Sequence, residues 1–434
     1  MEHFRVEPVY AMDLHSGVAH VIVTIGYIFS GVGNRSQIES AVNVLVQKWP
    51  ILGVRLRRSS SNVLEALIPD ARHAVLATAF YVTSKGIHQV ETLPARTSTI
   101  TTQRLSSNLK LYFEKSQPTL EELVSSQSPA FQLHVSCLAD ATVFAFTFAH
   151  VIMGASAVGS VMRGLASLLE GKELLDELEG DPWVDLLNTA PPGANSNLRG
   201  WSMYGPSDFL ASAEMERIDL EQDGSISQRT IYFPPSEIAQ LKEQAMKELK
   251  TLGLEVPFLS SGDVIVAWLY KHFYGDEQYD AERTNRLIYA MDAQIRLAES
   301  FPPDKVYLKN TQIFNATSKW KYNCVGEFQV SVPPEERVFL ASNWLTFDFG
   351  NLDISKVIKP STGTGKVLDI YCCIPDIPRC SGCIIFRDRD GGINAVFDWA
   401  EVNRTSGSIA KYAIENTVSD KDFTKPIPDG VNGL

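Results

Sequence analysis

TVFAFTFAH, residues 142–150, runs directly into VIMGASAVGSVMRGLASLLEG, residues 151–171. Phe144, Phe146 and Phe148 alternate on one strand face, and His150 continues their parity. Past a turn, Val158, Val161, Met162, Leu165, Leu168 and Leu169 recur at helical spacing. Ser156 is the expected N-cap and Gly171 the expected stop. The pattern predicts a buried strand that delivers a histidine to a turn facing a helix start. Open α/β sheets place their chemistry at such strand ends. Two readings of His150 stand at this point: a core histidine bonded to a nearby carbonyl, and a functional imidazole.

Outward from this stretch the chain alternates strands and helices. Residues 19–30 read as a strand rich in β-branched and aromatic residues. Ser36 to Glu39 has the form of a capping box, opening a helix with Ile38, Ala41, Val42, Leu45 and Trp49 inward until Pro50 ends it. Residues 131–138 alternate and pair with the His150 strand as a hairpin, with His134 on the solvated face. Between Gly180 and Gly224, Pro182, Pro191, Pro192 and Gly193 break every period. The chain is therefore divided into an N-terminal domain, 1–180, a crossover, 181–224, and a C-terminal domain, 225–434. In the second half, residues 228–233 form a strand, residues 237–249 a charged helix, and a further helix starts near Ser261.

Composition narrows the partners. The 434 residues carry 51 acids against 39 bases, a formal charge of −12. With no basic run or stripe, nucleic acid is not expected. No apolar run is long enough to span a bilayer, and the first residues lack the apolar core of a signal peptide. The expectation is a cytoplasmic monomer acting on a small molecule. Three motifs are set aside. Ser361 to Lys366 lacks the upstream glycine and the metal-binding hydroxyl of a phosphate loop. Gly154-Ala-Ser156 lacks the second glycine of a nucleophile elbow. Cys372 and Cys373 point to opposite strand faces, so with Cys380 and Cys383 they make no zinc site, and no metal is assigned.

Five segments in order make the chain resemble the BAHD-type acyltransferases, especially their divergent fungal members. The core motif HxxxDG reads His150-Val-Ile-Met-Gly154-Ala155. MDLHSGVAHVIVTIGYIF, LVQKWPILGVRLR, FLSSGDVIVAWLY and MDAQIRL with FPPDKVYLKN resemble the other landmarks. The resemblance implies a mixed α/β fold of two chloramphenicol-acetyltransferase-like domains, each a mixed sheet with flanking helices, and an active-site channel between them. It implies no bound cofactor, acyl-CoA as co-substrate, and His150 as general base on an acceptor hydroxyl. It places Met153, Gly154, Asp292, Gln294 and Arg296 around the substrate pocket.

The departures are specific. Gly154 stands where the family has an aspartate, and Gln294 where that aspartate's arginine partner stands. A lost acid matched by a lost base fits the cost of stranding one partner of a buried pair. The structural DFGWG motif is eroded in two registers, at Asp348 and, favoured by spacing, at Asp353; Lys309 replaces the glycine of Tyr-x-Gly-Asn. Three functions follow. The first is acyl transfer from a CoA thioester to a hydroxyl of a secondary metabolite. The second is a repurposed fold that performs a cofactor-free cyclisation or isomerisation, such as an intramolecular Diels–Alder reaction, on a terpenoid or polyketide intermediate. The third is a non-catalytic binding protein.

Overall fold

A computed structural model of the chain describes residues 3–9, 13, 20–77, 79–84, 96–104, 118–178, 180–188, 226–254, 258–274, 285–294, 297–316, 337–373, 382–400 and 414–415. Most of the expected crossover, Cys380 and Arg296 lie outside the described residues.

The first half runs β1 (Phe4–Pro8), β2 (Ile22–Ser30), α1 (Arg35–Lys48), β3 (Arg55–Arg58), β4 (Leu64–Pro69), α2 (Ala74–Ala77), β5 (Ala79–Ser84), β6 (Thr101–Arg104), α3 (Leu120–Ser126), β7 (Phe131–Cys137), β8 (Ala141–Ala149), α4 (Ala155–Leu169), β9 (Asp176–Glu177) and α5 (Pro182–Asn188). The second runs β10 (Ile226–Phe233), α6 (Pro235–Thr251), α7 (Ser261–Tyr274), β11 (Asn285–Asp292), β12 (Lys305–Val306), β13 (Gln312–Ala316), β14 (Arg337–Asn343), β15 (Val367–Cys373), β16 (Gly382–Arg387), β17 (Ile393–Ala400) and β18 (Ile414–Glu415).

Two mixed sheets organise these elements. The first has the order β15-β2-β8-β7-β5 and the second β13-β11-β14-β16-β17-β10-β6-β18. Each contains parallel and antiparallel pairs, for example β5 parallel to β7 and β7 antiparallel to β8. The sheets do not follow the chain's two halves. β15, from the second half, pairs with β2, and β6, from the first, pairs with β10. The halves thus exchange a strand in each direction across the 1–180 and 225–434 division, a pairing between distant residues that local periodicity does not encode.

The phenylalanines of β8 build the first core. Phe144 meets Phe29 edge-on at 5.6 Å and Phe146 meets Tyr27 at 5.7 Å, with all four rings essentially sealed from solvent. Burying one such side chain contributes about 1.5–3 kcal/mol, and edge-on ring geometry adds about 0.5–1.5 kcal/mol. Val158, Val161, Met162 and Leu165 of α4 and Ile38, Val42 and Leu45 of α1 join the same core. Gly171 takes φ +78° after α4, as expected of a stop.

Several local expectations change. The N-cap of α4 is Gly154, without a side-chain cap bond, because Ser156 already lies inside the helix. The N-cap of α1 is Asn34, whose side chain accepts from Gln37 N at 3.3 Å. His134 is half-buried and bonded to Thr83 at 2.9 Å, because the side chains of the neighbouring strand β5, Thr83 and Tyr81, flank it on that face. No helix among the described residues is long and apolar enough to cross a membrane.

Candidate active site

His150 follows β8 directly, and its backbone N–H donates to Val21 O at 2.8 Å, extending the β2–β8 pairing by one residue. Its ring lies 6.2 Å from that of Phe148. Strand alternation and the phenylalanine core therefore fix where the imidazole stands. The residue as a whole is half-buried, and Nδ1 is sealed from solvent. Burial pushes its pKa below the usual histidine value, opposed in part by its own backbone and by the Asn310 side chain. The neutral imidazole is thus the favoured form at neutral pH.

The second half supplies the groups around it, through the segment between β12 and β13. Asn310 Nδ2 donates to His150 O at 2.7 Å and to Asp13 Oδ1 at 2.9 Å. Asn310 O accepts from Trp183 Nε1 at 2.9 Å. The residue is therefore held at three points, two through its side-chain amide and one through its backbone carbonyl. Asn310 Oδ1 and His150 Nδ1 are both buried, and neither has a conventional hydrogen-bond partner among the described residues.

Asp13 is the acid of this cluster. Burial pushes its carboxyl up to about 7, with the Asn310 hydrogen bond pulling down and the Asp181 charge pushing further up. Lys309, where the family motif has glycine, bonds Glu7 at 3.0 Å and lies 3.8 Å from Asp181. Tyr307 donates to the same Asp181 at 3.0 Å. The departure at residue 309 is thus absorbed into an ion-paired network that ties β1 to the second half.

The other expected site residues divide. Gly154 is adjacent: a Cβ built there would lie 3.0 Å from Asn310 Oδ1 and 3.9 Å from His150 Cε1. Its space faces the amide, not a cation. Gln294 stands one link away, its Nε2 donating to Thr311 Oγ1 at 3.3 Å, while Ser156 Oγ and Thr311 Oγ1 are 3.0 Å apart. Asp292 accepts from Gln294 N at 2.9 Å, and burial raises its pKa. Met153, by contrast, is sealed inside the first core. Asp348 has φ +51° and accepts from Asn351 at 2.7 Å, whereas Asp353 accepts from Ser355 N at 2.7 Å and pairs with Lys366. Between them Phe349 covers Gly159 of α4, where a Cβ would meet its ring at 2.6 Å. Neither aspartate touches His150; the phenylalanine of this segment braces the helix that follows it.

Asn310, Thr311, Asp13 and Ser156 complete the site beyond the sequence expectations. Asn310 and Asp13 stood inside two segments of the resemblance, but only the fold joins positions 297 residues apart.

Two interleaved mixed sheets with a histidine at an inner strand end define a two-domain, chloramphenicol-acetyltransferase-like architecture. No family profile matches the chain. It is 25% identical over 315 residues to acetyltransferase adrJ of Penicillium rubens, covering 68% of this chain and 63% of that one. It is 23% identical to O-acetyltransferase PaAT-2 of Phomopsis amygdali, covering 70% and 67%. It superposes on F. graminearum TRI101, solved with ethyl coenzyme A, with a TM-score of 0.61 at 13% identity, covering 95% and 99%. The chain thus spans 63% of the length of adrJ and nearly all of the solved fold. The chain is thus similar in sequence to fungal acetyltransferases and shares the fold of the solved TRI101 structures.

Proposed function

We propose that the protein transfers an acyl group from a CoA thioester to a hydroxyl of a small natural-product acceptor, with His150 as general base. The observation that carries this reading is the placement of His150: at the inner end of β8, half-buried, with its carbonyl held by Asn310 from the second half of the chain. In the proposed step the acceptor O–H gives its proton to Nε2 as its oxygen bonds to the thioester carbonyl carbon. The tetrahedral intermediate collapses by breaking the carbon–sulfur bond. The departing thiolate takes the proton back from the imidazolium, so the histidine ends neutral. A base with a pKa near or below neutrality is suited to both transfers. Asn310 fixes the residue through its backbone carbonyl, and with it the point from which the ring projects.

Support for CoA as donor comes from the acetyltransferase relatives and from TRI101, solved with CoA compounds. The test is His150→Ala assayed with acetyl-CoA and a panel of hydroxylated terpenoids and polyketides. The proposal expects turnover to fall by about 10²–10⁴-fold with the fold intact. Unchanged acyl transfer by the variant would end the base assignment.

A further inference from the structure

A second cluster lies on the three-stranded sheet, which has the order β1-β4-β3. β1 pairs antiparallel with β4 so that Phe4 faces Pro69, and Asp70 N donates to His3 O at 2.9 Å. This register sets His3 opposite Asp70 at the end of the ladder. Asp70 then turns the chain into α2, its Oδ1 accepting from the backbone of Arg72 and His73, each at 3.0 Å. The turn brings His73 back over the same carboxylate. His73 Nδ1 lies 2.7 Å from Asp70 Oδ1, His3 Nδ1 lies 3.8 Å from Asp70 Oδ2, and the two rings stack at 3.8 Å. One potential ligand atom from each of the three residues falls within 4.8 Å of the others.

From this geometry we infer that His3, Asp70 and His73 form a binding site for a zinc-class divalent transition metal ion. Two imidazoles and a carboxylate are a donor set such ions favour, and magnesium and calcium do not. Both rings already turn Nδ1 toward the carboxylate, so a cation takes the place of the protons between them. The two rings lie nearly parallel, 20° apart, so one ring must turn out of the stack to bring both Nδ1 lone pairs onto a single ion at metal–nitrogen distances of about 2.0–2.1 Å. All three side chains are at least partly exposed and can supply that by rotamer adjustment. Water fills the remaining positions. The site is separate from His150, and its bound ion would fasten β1 to the turn leading into α2. The cysteine spacing points elsewhere because the ligands come from two segments 67 residues apart.

The test is calorimetric titration of the full chain with zinc chloride at pH 7.5, after treatment with a chelator. The expected result is one site per chain that weakens at least tenfold in His3→Gln and in His73→Gln and is lost in the double variant. Magnesium chloride at the same concentration should give no binding. His3→Gln removes no backbone contact, so it decides the question if His73→Gln fails to fold. Absence of zinc binding, or equal binding by the double variant, would overturn the site.

Discussion

Restoring the family's aspartate, as Gly154→Asp, should damage this protein. Gly154 has φ −102° and ψ 179°, an ordinary extended conformation, so a side chain there meets no backbone strain. The first added carbon lies 3.0 Å from Asn310 Oδ1, which must yield by a few tenths of an ångström. Gly154→Ala measures the steric cost together with the poorer N-cap, about 1–3 kcal/mol, without adding a charge. The aspartate adds a charge. As an N-cap it gains only a few tenths of a kcal/mol over glycine. Against this, its carboxylate is aimed at a carbonyl oxygen, in a cluster already holding buried Asp13, with Gln294 where a cation is needed. An uncompensated buried charge costs about 3–5 kcal/mol, so desolvation wins. Urea unfolding of wild type, Gly154→Ala and Gly154→Asp should be run at pH 8 and pH 5. At pH 8 the acid variant should be the least stable, by a few kcal/mol relative to the alanine control. Burial raises the folded pKa of the introduced carboxyl, so the penalty is complete at high pH and shrinks as pH falls and the group takes up a proton. Equal stability of the two variants at pH 8 would refute the reasoning.

Adding Gln294→Arg to Gly154→Asp should recover stability relative to the single acid variant; equal unfolding midpoints would show that positions 154 and 294 are not coupled. Asp13 and Glu177 both have carboxyls pushed up to about 7, chiefly by burial, so the folded state holds more protons between about pH 4 and 7 and stability contributed by these groups declines as pH rises through that window. Asp13→Asn keeps an oxygen for Asn310 and should flatten the slope, removing up to about 4 kcal/mol of cost above pH 7; parallel stability–pH curves would contradict this. Because burial lowers the His150 pKa, the acid limb of kcat/KM should lie below pH 6.5, which a pH–rate profile reads directly. Phe349→Ala removes a sealed ring packed against Tyr27 at 5.5 Å and Phe347 at 5.4 Å, and should cost about 3–5 kcal/mol in urea unfolding.

The strand–turn–helix around His150 was legible because its signals are local. Alternation marks β8, helical spacing marks α4, and Gly171 supplies the positive φ of the stop. The helix starting at Ser261 was equally plain, with Ser260 and Asp263 bonding reciprocally across its first turn. What surrounds the histidine was not legible. Asn310 reaches His150 O across 160 residues, and no period or spacing announces a contact of that range. The same holds for β6 and β15, whose pairing partners lie in the opposite half. The motif losses were visible as letters, but their compensation was not. The space at residue 154 opens on Asn310, Gln294 stands one link further off through Thr311, and the buried acid of the cluster is Asp13. Met153 shows the limit of adjacency: it neighbours Gly154 in the chain but turns into the core, as one residue's shift in a tight turn allows.

The proposed CoA-dependent acyl transfer is tested by a thermal-shift titration with CoA, acetyl-CoA and longer-chain thioesters. A ligand that binds only the folded state at a hundred times its dissociation constant adds about 2.7 kcal/mol. For a chain of this size the melting temperature should rise by a few degrees, saturably, with at least one thioester. No shift with CoA or any thioester would contradict the account and turn the search to cofactor-free conversions of olefinic intermediates.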